Sequence, residues 1–203
     1  MREAECLHLC PRGQSQQSSS CEAFFDFVVA SAPKVKVLCL SHWSNSRGSG
    51  FPYFHNLVGG AQFAQLQELH LFLIEATFDE LRDLLRAVAP TLQRLTLGSI
   101  TLNDNFRFTE WKIDEAQQLW HRAWALMKDD LSLQFLSMSG LACREVEVQV
   151  IGRGRHLSGG RSNSGPRRSR TVIYKKEYAS ISFEQWVTAL KANPFIEAES
   201  EGE

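Results

Sequence analysis

The chain has 203 residues, 22 Lys and Arg against 23 Asp and Glu, and a hydrophobic share of 43%, which suits one domain with a core of its own. That composition excludes a wholly disordered chain, a collagen and a coiled coil. A formal net charge of -1 removes any whole-protein electrostatic case for nucleic acid or an anionic membrane.

No apolar run approaches the roughly 20 residues needed to span a bilayer. Met1–Pro11 holds only a scrap of apolar sequence, broken by His8 and Cys10, and is not expected to be a signal peptide. The polar run that follows makes residues 1–21 a flexible N-terminal tail. The five cysteines show no paired spacing, and Cys39 and Cys143 stand in apolar stretches where a thiol acts as a small hydrophobe. The chain is therefore read as reduced, cytoplasmic or nuclear.

Residues 22–151 carry a repeat. Four seven-residue segments superimpose: Lys34–Leu40 (KVKVLCL), Gln65–Leu71 (QLQELHL), Thr91–Leu97 (TLQRLTL) and Ser132–Met138 (SLQFLSM). Each is apolar at its second, fifth and seventh positions. A short strand points alternate side chains inward, and a bend ahead of it turns the first apolar residue toward the same core. Helical periodicity fills the gaps. Phe24, Phe25, Val28 and Val29 share a face before the first strand, Phe78, Leu81, Leu84, Leu85 and Val88 before the third, and Leu119, Ala123, Leu126 and Met127 before the fourth. Thr77 with Glu80 has the spacing of a capping box, and Pro33 and Pro90 each follow a helix. Phe51–Phe63, with Gly59 and Gly60, reads as irregular. The second positions lie 31, 26 and 41 residues apart. The expected fold is α/β, a short leucine-rich-repeat-like solenoid with a curved parallel sheet and helices on its outer side. After it come an Arg/Gly/Ser-rich loop (152–170), a closing strand and helix (171–191) and an acidic tail (192–203).

The stretch Phe63–Leu102, FAQLQELHLFLIEATFDELRDLLRAVAPTLQRLTLGSITL, resembles the divergent leucine-rich region of fungal F-box-like proteins. The resemblance continues through Trp111 to Leu131–Leu141, and extends to Gly152–Gly160 as a closing strand and Ser182–Leu190 as a final helix. It implies substrate recognition for ubiquitin ligases. Two features depart from the family. Trp43, Ile74, Ile100 and Leu141 occupy the slots where the usual repeat has Asn or Cys. An F-box, a three-helix segment opening with Leu-Pro, does not fit in Met1–Ser20, so ligase components are expected only through a separate adaptor.

Sites for chemistry are sparse. Cys6, His8 and Cys10, with Cys21, offer soft ligands, but their spacing is tighter than that of a zinc finger and no second cluster backs it, so no metal is expected. Gly152–Gly160 contains G-x-G without the helix and acidic residue of a dinucleotide site. Trp120 and Trp124, one turn apart, are read as core. The histidines at 42, 55, 70 and 121 are scattered, and no nucleophile motif is present. No cofactor and no enzyme is expected.

The reading that remains is a protein-interaction module. Its partner is another protein, met by the non-leucine strand positions Lys36, Glu68, His70, Arg94, Thr96, Gln134 and Ser137. The rival is RNA or polyanion binding through residues 153–176, which hold eight basic residues and no acidic one, including Arg153, Arg155, Arg161, Arg167, Arg168 and Arg170. That stretch lacks interleaved aromatics for base stacking. Four glutamates between Glu197 and Glu203 balance it weakly at physiological salt.

Overall fold

The structure is a computed structural model that describes residues 6–9, 27–43, 62–103, 113–143, 146–151, 171–179 and 181–194. It is a mixed α/β fold with an open, mostly parallel sheet. The first strands are β1 (Cys6–Leu9), β2 (Val37–Trp43) and β3 (Glu68–Thr77), followed by helix α1 (Phe78–Val88) and β4 (Arg94–Asn103). Helix α2 (Ile113–Asp130) leads into β5 (Phe135–Ser139), β6 (Leu141–Cys143) and β7 (Val146–Ile151). The last elements are β8 (Val172–Lys175), helix α3 (Phe183–Thr188) and β9 (Lys191–Pro194). Strands β1 to β4 run parallel in sequence order. The lower half of β4 pairs with β5 and its upper half with β6, both parallel.

The repeat seen in the sequence is the register of the sheet. Leu38, Leu69, Leu95 and Leu136 are direct partners across β2 to β5, and so are Leu40, Leu71, Leu97 and Met138. Of the twelve apolar positions of the four segments, none is more than 3% exposed. The bend ahead of each strand also repeats. Gln67 and Glu68 both donate backbone N–H to the Lys36 carbonyl, at 2.8 and 3.0 Å. Gln93 and Arg94 do the same to Gln67, and Gln134 and Phe135 to Gln93. Each forked bond fixes the turn that carries Leu66, Leu92 or Leu133 into the core. Burying a leucine this fully contributes roughly 1.5–3 kcal/mol.

A second repeat appears one level further along. Leu73, Ser99 and Gly140 have φ of 53°, 54° and 59°, and they lie at matching positions on adjacent strands. A left-handed residue inserted in a strand puts two successive side chains outward, as Phe72 and Leu73 show, and restores the next one to the core. Ile74, Ile100 and Leu141 are those next residues, and all are buried. They stand in the slots where the leucine-rich repeat that the sequence resembles would carry an asparagine. An apolar side chain suits them because the backbone beyond the corner is paired by further strand, as in Ile74 with Ile100 and Thr101 with Ala142.

The helices cover the leucine face. Strand β3 ends at Thr77, which is also the N-cap of α1: its Oγ1 accepts from Glu80 N–H at 3.2 Å while Glu80 Oε2 accepts from Thr77 N–H at 2.7 Å. Phe78, Leu81, Leu84, Leu85 and Val88 of α1 are buried, as are Leu119, Ala123, Leu126 and Met127 of α2. Trp120 and Trp124 are core residues too, and Trp120 Nε1 donates to the Ala142 carbonyl at 3.0 Å. Arg86 on α1 meets Asp130 on α2 at 2.7 Å.

Several expectations need correction. Residues 1–21 are not all tail, because Cys6–Leu9 pairs in parallel with β2 and Leu7 is buried. An apolar residue between two polar ones is a short strand pattern, and the edge of β2 offers it backbone partners. The acidic tail does not begin at 192, since Lys191–Pro194 is β9, paired with β7. The sheet is not wholly parallel: β7, β8 and β9 all pair antiparallel. The two-residue joint between β6 and β7 is too short for a parallel crossover. Val29 does not join Val28 in the core but is 37% exposed. Cys39 lies in register with His70, half-buried and away from the leucines, whereas Cys143 is buried. Residues 22–26, 51–61 and 152–170, and Trp111, lie outside the described residues.

Candidate functional site

Alternation in the strands sends Leu38, Leu69, Leu95 and Leu136 to the core and leaves the residues between them on the opposite face. All seven sequence-selected positions are there. Lys36 and Gln134 occupy the bend level, with Gln67 and Gln93 between them. Glu68 and Arg94 are direct partners at the next level, where β2 supplies Val37, β5 supplies Phe135 and β8 supplies Lys175. His70, Thr96 and Ser137 form the third level, between Cys39 and Ile173. Arg94 and Gln134 are exposed, and the other five are half-buried. Phe72, Gly98 and Ser139 follow at the fourth level.

The polar groups of this face interact laterally. Glu68 Oε2 lies 3.5 Å from both His70 Nε2 and Arg94 Nε. Parallel strands hold these three residues on adjacent rungs, so the carboxylate sits between two nitrogen donors. The Arg94 guanidinium carbon lies 4.6 Å from the centre of the Phe135 ring. His70 and Phe72 have nearly parallel rings, 4° apart, with centroids at 6.5 Å. Phe72 and Leu73 are exposed large apolar residues, and the Phe72 ring rests on Gly98.

Among the members of this face that the sequence reading passes over are Phe72, Leu73 and Phe135. A signal was present for Phe135, which fills the fourth position of its segment, where the others have Val37, Glu68 and Arg94. Phe72 directly follows the last leucine of its segment, so alternation alone turns it outward. Leu73 is the residue that the sequence hides, because only its left-handed φ turns it outward beside Phe72.

The polyanion candidates Arg153, Arg155, Arg161, Arg167, Arg168 and Arg170 lie outside the described residues, as do Cys10 and Cys21. Among the described residues, no group of His, Cys, Asp or Glu is placed to hold a metal ion. His121 is far from the face, set edge-on to Trp124 on α2. Also among the described residues, no helix is long and apolar enough to cross a membrane.

The chain matches no protein-family model, no curated protein and no solved structure. The likeness to F-box-like proteins therefore stands on the sequence motifs alone.

Proposed function

We propose that the chain is a short leucine-rich-repeat-like solenoid that works by binding another protein on the face opposite its leucines. The observation that carries this reading is the make-up of that face. An arginine laid on Phe135, a carboxylate between Arg94 and His70, and the half-exposed Phe72 stand within three adjacent strands. Arg and aromatic side chains held in place are the residues that dominate protein interfaces. The mechanism is presentation. Strand pairing fixes every backbone position, so binding orders few side chains and little entropy is lost. No bond is made or broken, and no cofactor is required. In the setting that the F-box resemblance suggests, the occupant is a protein destined for ubiquitination, delivered through a separate adaptor.

The test is affinity capture from native lysate with the chain and with a Glu68→Lys, Arg94→Glu, Gln134→Arg variant. A protein held by the first and lost by the folded second supports the reading. Identical capture by both would remove the face from the function.

A further inference from the structure

Where β8 closes the sheet, Arg94, Gln134, Phe135, Lys175, Lys176 and Glu177 line an open depression of about 310 Å³. Its lining holds three cations and one carboxylate, Glu177, with Glu68 beside Arg94. Their backbones are fixed: Lys175 is the cross-strand partner of Phe135, and Lys176 N–H donates to the Gln134 carbonyl at 2.9 Å. Phe135 holds the Arg94 guanidinium over its ring, and both residues line the same space. Glu68 meets Arg94 at 3.5 Å, in a pair whose side chains are both more than one-third exposed or close to it. Such a pair is weak, so an incoming anion competes with it on favourable terms.

The bend level supplies the approach. Gln67, Gln93 and Gln134 are exposed and stand in a row one strand apart, about 4.8 Å; the first two line a neighbouring open depression with Pro90 and Ser132, and the last lines this one. A primary amide both donates and accepts, as a peptide backbone does, so the row matches an extended chain lying across the strands. We propose that the partner of this face presents an extended peptide segment whose anionic side chain, a carboxylate or a phosphate, enters the depression between Arg94 and the Lys175–Lys176 pair. This inference rests on the protein-binding reading above and adds the chemistry of the occupant. A peptide fits better than a nucleic acid. The site has one aromatic ring, already covered by Arg94, where successive bases need several, and its approach is lined by neutral amides, not by a track of cations.

The experiment uses the full chain and fluorescent peptide pools of degenerate sequence, identical apart from a fixed central Glu, phosphoserine or Ser, with fluorescent oligouridine as the nucleic-acid probe. The Glu and phosphoserine pools are expected to bind, and their ratio tells which anion is preferred. The Ser pool is expected to bind at least about tenfold more weakly, and added salt to weaken the anionic pools. Lys175→Glu with Lys176→Glu, both at exposed positions, is expected to lose at least about tenfold in affinity with the melting temperature unchanged. Equal binding of the Ser pool, indifference to the lysine changes, or tighter binding of oligouridine overturns the proposal. A lysate partner lost by the Glu68/Arg94/Gln134 variant but kept by the lysine variant overturns this inference alone. A partner kept by both overturns the protein-binding reading as well.

Discussion

Phe72 lies across Gly98 so closely that a Cβ on the glycine would stand 2.5 Å from the ring's Cδ1. The contact joins adjacent strands on the outward face, and it sets where the ring sits relative to His70. Gly98→Ala is expected to push the ring aside and to lower stability by roughly 1 kcal/mol, the cost of an off-rotamer side chain. In a Phe72→Ala background the same change is expected to be neutral or stabilising by roughly 0.4–1 kcal/mol, because alanine restricts the unfolded chain more than glycine does. A double-mutant cycle by urea unfolding measures the difference. Additive effects would mean that ring and glycine do not touch.

The paired leucine columns set the stability of the sheet. Leu95 is fully buried between Leu69 and Leu136, so Leu95→Ala is expected to cost about 2–5 kcal/mol. Thr96→Ala, one residue on and facing outward, is expected to change stability by less than about 1 kcal/mol. Equal losses in chemical denaturation would contradict the register.

The left-handed corner at Gly140 is a third point of test. An alanine there meets a left-handed penalty of roughly 1–2 kcal/mol, offset by roughly 0.4–1 kcal/mol of unfolded-chain entropy. Its Cβ would also come within 3.0 Å of Ser99 Oγ. Gly140→Ala is therefore expected to lower the melting temperature, and Ser99→Gly to recover part of the loss by removing that oxygen and relaxing its own φ of 54°.

Alkaline conditions probe the closing strand. Tyr174 is buried against Phe183 and Trp186, with ring centroids at 5.3 and 5.4 Å, and burial pushes its phenol above the ordinary value near 10. The unfolded chain ionises this group more readily than the folded one. Its contribution is thus fully present below about pH 10 and is lost as pH rises through the higher folded value. Urea midpoints are expected to fall more steeply above about pH 10 in the parent than in Tyr174→Phe. Parallel curves would contradict it.

The leucine register was legible because it rests on local chemistry. Each segment repeats its apolar spacing, and Leu38, Leu69, Leu95 and Leu136 align in sequence as they pair in space. The capping box at Thr77 was legible for the same reason. Strands β1 and β9 were not, because four residues hold too little periodicity to separate a strand from a tail, and their partners lie far off in sequence. On the outward face, Glu68, His70 and Arg94 could be found by alternation. So could Phe72, which alternates outward from the buried Leu71; Leu73 could not, since its outward direction depends on a left-handed φ that leucine does not advertise.

The most direct test of a working outward face is site-specific photocrosslinking. A benzophenone side chain is placed at Gln134 on that face or at Ala125 on the opposite, helical side, both exposed positions. The full chain is irradiated in native lysate. The expected result is a discrete protein adduct from position 134 that is absent from position 125. An adduct from 125 alone, or the same adduct from both, would contradict the assignment of binding to the sheet.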